Sequence, residues 1–259
     1  MQQTSFRDAR LAVLREEVRE IESAGRAAGR SSCLPFGLET VDGRLAGGGL
    51  AIAALHEAAP ATPALGDDAA STLFFAAVSA RLALAQGEGT VLWALSRRDL
   101  FAPGLALAGL APERLIYAEC RRDEEVLAVM EEGLRHGGLA AVVGEAAGLK
   151  LAAGRRLQLA AEEGGTTALV LRRWRKPDAD PLALPSAAVT RWRIGCLPSG
   201  KQEVPALGRA RWHVELARQR GGEAHDWILE APDAEARLAL PAVPLDRPDQ
   251  AGGAQRRAA

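Results

Sequence analysis

Apolar residues recur along this chain at two different spacings, and the places where the spacing changes divide it. Over 5–24, Phe6, Leu11, Leu14, Val18 and Ile21 fall at helical intervals with Arg and Glu filling the opposite face. Ser5 and Asp8 fit a Ser-x-x-Asp capping box at its start. The following Ser-Ala-Gly-Arg-Ala-Ala-Gly-Arg-Ser-Ser (23–32) reads as a linker. An amphipathic helix ahead of a linker must cover its stripe, against its own core or against a partner. The five stripe residues are the candidate partner interface.

From Pro35 onward helical and strand patterns alternate. Short helices are expected at 38–45 and 100–109, and longer ones at 69–85, 123–135 and 149–163. Short apolar runs at 51–55, 90–95, 115–118, 139–143 and 166–171 read as buried strands. Such runs between helices imply a parallel sheet covered on both faces. After Arg175 the pattern changes: 187–194, 210–219 and 224–230 follow one another with no helix between them. Arg220-Gly221-Gly222 joins the last two as a hairpin turn. The expected fold is α/β, a mostly parallel central sheet flanked by helices and extended by antiparallel strands near the C-terminus. Three regions follow: 1–32 as helix and linker, 33–232 as core, and 233–259 as a tail expected to be disordered.

Composition adds three constraints. With 48% hydrophobic and 25% charged residues, a packed core is expected. Cys33, Cys120 and Cys196 are odd in number and in no metal-binding spacing, which suits a reducing compartment. No segment resembles a signal peptide and no uninterrupted apolar run reaches the ~18 residues of a membrane span, so a cytoplasmic protein without membrane contact is expected. Net charge is −1, yet 172–220 holds 11 basic and 4 acidic residues. Such a block suits an acidic partner or phosphates.

The stretch with the sharpest signature is Gly37-Leu38-Glu39-Thr40-Val41-Asp42, then Leu45-Ala46-Gly47-Gly48-Gly49-Leu50, then Leu55-His56-Glu57. It resembles the start of RecA-like cores and most closely the ImuA family of RecA-related, damage-inducible mutagenesis proteins, over roughly 5–230. Ala53 stands where related sequences often have glycine. In a RecA-type ATPase the loop after the first strand cradles phosphates, and its lysine meets the β- and γ-phosphates. The corresponding stretch here, 56–68, has no lysine, two prolines, one glycine and the carboxylates Asp67 and Asp68; the first lysine of the chain is Lys150. The resemblance places the lysine and its hydroxyl neighbour near Asp67 to Ser71. It places a water-orienting carboxylate just after 91–95, where Ser96-Arg97-Arg98 stands. It places a magnesium-binding aspartate at Gly144, with Glu145 one residue beyond. Three parts of the phosphoryl-transfer machinery are absent together, so no catalytic residue, cofactor or metal is expected.

Other chemistry is sparse. His56 and Glu57 are expected to close the first strand in a structural or partner-facing role, since no further ligands converge with them by spacing. Gly47-Gly48-Gly49 precedes a strand, not a helix, and reads as a turn. Arg172, Arg173, Arg175, Arg191, Arg193, Arg209, Arg211, Arg218 and Arg220 interleave with tryptophans. Arginine pairs with phosphates and tryptophan stacks on bases. Alternation along a strand instead buries Trp192 and Trp212 and leaves the arginines as a basic surface for DNA or an acidic protein.

The resemblance implies a non-catalytic adaptor in damage-induced (SOS) mutagenesis. It would bridge an ImuB-like polymerase-related protein, an error-prone polymerase and RecA, with DNA as a further candidate. The other expectation is a SulA-like inhibitor of cell division that binds FtsZ, also a degenerate RecA-like fold. The long core and the basic block argue against it.

Overall fold

The computed structural model describes residues 33–87, 89–198 and 208–241. The predicted helix 5–24, its linker and residues 242–259 lie outside the described residues. Two short strands, β1 (Cys33–Leu34) and β2 (Leu50–Ala51), pair with each other around helix α1 (Glu39–Asp42). The main sheet contains β3 (Leu55–Pro60), β4 (Val91–Leu95), β5 (Leu115–Glu119), β6 (Ala141–Ala146), β7 (Thr167–Arg172), β8 (Thr190–Leu197), β9 (Arg211–Gln219) and β10 (His225–Glu230). Its order is β10-β9-β8-β3-β7-β6-β4-β5. The ladders from β5 to β8 are parallel, and those of β8 with β9 and β9 with β10 are antiparallel. The helices are α2 (Leu65–Ala85), α3 (Ala102–Leu107), α4 (Asp123–His136) and α5 (Leu151–Gly164).

Two apolar layers sandwich the sheet. On one face α2 packs against β3, β6, β7 and β8 through Phe74, Phe75 and Val78, and the buried Trp192, Trp212 and Trp227 extend this layer under β8–β10. On the other face α4 and α5 contribute Val126, Met130, Leu134, Leu157 and Ala161. By length and hydropathy α2 could cross a bilayer, but most of that window is buried inside this fold. The apolar residues nearly all round α2 reflect its place between the sheet and α3. The inward tryptophans agree with the alternation read along β8 and β9: Trp192 and Trp212 are buried while Arg193 and His213 stand on the opposite face.

The chain departs from the sequence pattern at both ends of the core. The expected strand 51–55 is two strands, because Ala53 takes a left-handed φ of 54° and turns the chain between β2 and β3. β3 then runs on to Pro60, so His56 and Glu57 lie inside a strand instead of closing one. The helix expected from residue 69 starts at Leu65. The tail expected from 233 still belongs to the fold as far as 241. Glu230 bridges Ala239, and Ala236 and Leu238 are buried in the α2-side layer.

The opening signature has a mechanical role. Asp42 Oδ1 accepts from Phe36 N–H at 2.6 Å, and Oδ2 accepts from Gly37 N–H at 2.8 Å and Leu38 N–H at 3.1 Å. The turn that follows needs positive φ at Gly47 (90°) and Gly48 (77°), a conformation glycine adopts without steric cost.

Candidate functional site

In a parallel sheet the crevice beyond the carboxyl ends of the strands is where a ligand is expected. Here it lies between the end of β3, the first turns of α2 and the end of β6. β3 passes into α2 through residues 61–64, and each backbone donor of that connection already has a partner. Ala61 N–H donates to Ile194 O at 2.8 Å, and Thr62 N–H donates to Asp67 Oδ2 at 2.9 Å. Pro63 has no N–H, and Ala64 N–H donates to Thr62 Oγ1 at 3.2 Å. Asp67 also takes the Thr62 hydroxyl at 2.6 Å and, through Oδ1, the Cys196 N–H at 2.7 Å. A phosphate-binding loop works because its N–H groups point free at the anion. In this loop the three N–H groups are bonded within the fold, and the buried Asp67 carboxylate is the anion that Thr62 N–H serves.

Beside Asp67 a second group is equally closed. Arg173, just past β7, donates Nε and Nη2 to Glu145 Oε2 at 2.9 and 2.7 Å. Its Nη1 meets Asp68 Oδ1 at 2.7 Å and its Nη2 meets Thr72 Oγ1 at 3.0 Å. Trp93 Nε1–H donates to the other Glu145 oxygen at 2.9 Å. Arg97 lies 3.5 Å from Asp68 Oδ2 and also pairs with Asp99. Burial lowers the Arg173 pKa, but the neighbouring Glu145 and Asp68 outweigh it and raise the value overall. One guanidinium thus bridges Glu145 at the end of β6 and Asp68 in the first turn of α2.

The strand geometry also corrects the position expected for the metal-binding acid. Successive residues of a strand face opposite sides. Gly144 faces α4, where a Cβ would lie only 2.1 Å from Met130 Sδ, and Glu145 faces α2 and the loop. Glu145 therefore holds the place toward the loop, with both its oxygens already bonded. Among the described residues no group of three or more His, Cys, Asp or Glu is arranged to hold a metal ion.

On the opposite face Glu57 is fully buried. Its Oε2 takes Arg172 Nη1 at 3.2 Å and Arg191 Nε and Nη2 at 3.3 and 3.2 Å, while Oε1 accepts from the Ser186 hydroxyl. Arg172 Nη2 continues to Ala147 O at 3.0 Å. Burial lowers the Arg172 pKa and the adjacent Arg191 adds to this, against the pull of Glu57. His56, on the other side of β3, is held at Nδ1 by Thr190 Oγ1 (2.7 Å) and at Nε2 by Ala51 O (2.8 Å). Trp192 Nε1–H donates to the same Thr190 oxygen at 2.7 Å, so the hydroxyl proton points to Nδ1 and Nε2 carries the ring proton. Burial moves the His56 pKa from 6.5 to about 4, partly countered by the Ala51 hydrogen bond.

The expected basic surface is largely taken apart by these contacts. Arg172, Arg173 and Arg191 are buried and do not belong to it. Arg193 pairs with Asp180 at 2.9 Å and faces Glu215 at 3.5 Å, and Arg175 pairs with Asp123 at 2.8 Å. Arg209 donates to the carbonyls of Ala231 and Arg237. Arg211 lies opposite Glu230 in the β9–β10 register. Arg218 and Arg220 are exposed, with donor contacts to Ala188 O and Ala187 O. No sequence signal marks Glu145 as the partner of Arg173 or Asp67 as the acceptor of Cys196 N–H, although Thr62 and Asp67 stand close enough in the chain to suggest a capped loop.

No protein-family model matches the sequence. Two curated relatives, both called Protein ImuA and from Caulobacter vibrioides strains NA1000/CB15N and ATCC 19089/CB 15, are 41% identical over 206 residues. The match covers 78% of this chain and 84% of each relative. Among solved structures, a crystal structure of the RadB recombinase superposes with a TM-score of 0.56 at 16% identity, over 81% of this chain and all of that one. That likeness bears on the fold alone, which is RecA-like: a mostly parallel sheet between helices with antiparallel strands at the C-terminal side.

Proposed function

The chain belongs to the ImuA family, and from that premise we propose that it is a non-catalytic adaptor in damage-induced mutagenesis. A RecA-like frame whose nucleotide end is filled by its own side chains serves through its outer surfaces. The partners that fit are an ImuB-like polymerase-related protein, an error-prone polymerase and RecA, with DNA a lesser candidate now that three of the nine arginines are buried.

The observation that carries this reading is the state of the 61–64 loop. Each N–H there is bonded to protein, and Asp67 sits as the acceptor that a phosphate would otherwise be. Adding a nucleoside triphosphate would require displacing a carboxylate and bringing like charges together beside Asp68 and Glu145, with no lysine in the loop to offset them. Isothermal titration with ATP and magnesium is the direct test: no binding is expected up to ~1 mM ligand. A tighter site would overturn the reading. The adaptor half is tested by mixing the purified full chain with the purified candidate partners one at a time. A stable complex with at least one is expected in the absence of nucleotide; strict dependence on ATP would count against it.

A further inference from the structure

The outward side of α5 carries a row that the fold does not use. Leu151, Arg155 and Leu159 recur every fourth residue and so share one face of the helix. Leu159 is 55% exposed. Arg155 is exposed and has no hydrogen bond or ion pair among the described residues. Beside the row runs a groove of about 370 Å³ whose other wall is Ser186 and Ala187 and whose rim includes Arg220. Arg218 Nη2 donates to Ala188 O at 2.6 Å and Arg220 Nη2 to Ala187 O at 3.3 Å, which fixes two guanidinium groups along that wall. Glu162 also lines the groove, but its Oε1 accepts from Gln158 Nε2 at 2.7 Å. The result is an aliphatic floor whose rim carries Arg155, Arg220 and Glu162.

A second cavity, of about 350 Å³, shares Gln158, Glu162 and Arg220 with the first and extends to Cys33, the first described residue. The second cavity therefore leads from the groove to Cys33, where the described chain begins. We propose that the groove is the docking site of the chain's own segment 5–24.

Three properties select that occupant. The stripe Phe6, Leu11, Leu14, Val18 and Ile21 needs an apolar surface, and the groove offers Leu151 and Leu159. Residues 25–32 can span about 28 Å when extended, and α5 with its 14 residues is about 21 Å long. The tether also keeps the segment near the groove at a millimolar-scale effective concentration, which a separate partner must exceed. Nucleic acid fits less well: the groove has no aromatic ring to stack a base, and Glu162 stands among the arginines. Of the two ways in which the sequence allows the stripe to be covered, this assignment takes its own fold over a partner.

The test uses the full chain with Leu159→Cys, and separately Leu107→Cys at a site that is 70% exposed on α3. Maleimide labelling is read site by site by mass spectrometry, so the native cysteines do not interfere. Docking predicts labelling at least tenfold slower at position 159 than at 107. It also predicts recovery of the fast rate when Leu14→Asp and Val18→Asp are added, and slow labelling again when a synthetic peptide of residues 3–26 is supplied. Equal rates at the two sites would overturn the proposal. So would protection that the Asp pair does not relieve, or protection that disappears on dilution, which would mean that a second copy covers the groove.

Discussion

Glu57 meets two guanidinium groups on the α5 face of the sheet, whereas on the α2 face one guanidinium, Arg173, meets two carboxylates. Both clusters draw their arginines from the 172–191 stretch, and Arg172 and Arg173 sit at the end of β7 and just past it. Their surroundings differ. Glu57, Arg172 and Arg191 are all buried, so a net positive charge is enclosed, with Ser186 and Ala147 O as the further partners. Around Arg173, Asp68 remains 21% exposed and has Arg97 nearby, so the net negative charge is partly answered at the surface. The α5-side cluster fastens the chain beyond β7 onto β3. The α2-side cluster ties the end of β6 and the residue past β7 to the first turns of α2.

Removing Glu57 should therefore have the largest effect. Glu57→Leu leaves two buried arginines without a counter-charge, and breaking a buried pair in this way costs about 3–5 kcal/mol. Urea unfolding should show the loss, and adding Arg172→Met with Arg191→Met should recover most of it. A loss below ~1 kcal/mol would mean that water reaches the cluster and that the contrast with the α2 face is wrong. Arg173→Met should cost less, about 2–3 kcal/mol, because Asp68 can turn to solvent and Arg97. It should also leave ATP binding undetectable, since no loop donors are freed by the change.

His56 sharpens the comparison through pH, because it lies on β3 next to Glu57 but faces the other layer. Its folded pKa is about 4 and its unfolded value 6.5. Between those values the unfolded chain binds the proton and the native chain refuses it. Stability is therefore complete above pH ~6.5 and falls as pH drops toward ~4, by roughly 3 kcal/mol at 1.36 kcal/mol per unit. Urea midpoints from pH 7 to 4.5 should trace this slope, and His56→Gln should flatten it. A slope unchanged by that substitution would assign the pH dependence to other groups.

These residues also mark how far the sequence could be read. The parallel core, the hairpin of β9 and β10 and the inward Trp192 and Trp212 follow from periodicity, which is a local property. That 56–68 holds no lysine and that Ser96-Arg97-Arg98 follows β4 is plain from residue identity. What periodicity does not carry is pairing across distance. Arg172 and Glu57 are 115 positions apart, and Arg173 and Glu145 are 28 apart. An arginine beside a tryptophan therefore reads equally as surface or as the buried half of an ion pair. Strand ends escape the sequence pattern for a related reason. Ala58, Ala59 and Pro60 are buried in β3, yet alanine and proline carry little strand signal. By its sequence the loop therefore begins at His56, and the four residues 61–64 that form it lie inside a longer stretch.

The smallest effect is expected at Ala53, and it bears on whether the two sides of β3 are anchored equally well. Ala53 has φ of 54° and donates its N–H to Thr167 Oγ1 at 3.2 Å, so neighbouring structure holds it in the left-handed region. There an L-residue carries a steric cost of ~1 kcal/mol from its Cβ against the carbonyl oxygen. Glycine removes that cost but adds freedom to the unfolded chain, which takes back about 0.4–1 kcal/mol. Ala53→Gly should therefore be neutral to stabilising, by at most ~1 kcal/mol or roughly 2 °C in Tm for a chain of this size. Ala53→Val, with a branched Cβ in the same conformation, should destabilise by more than the glycine gains. If valine is tolerated as well as glycine, the β2–β3 turn relaxes freely, and His56, whose Nε2 is bonded to Ala51 O across that turn, would be less firmly fixed than Glu57.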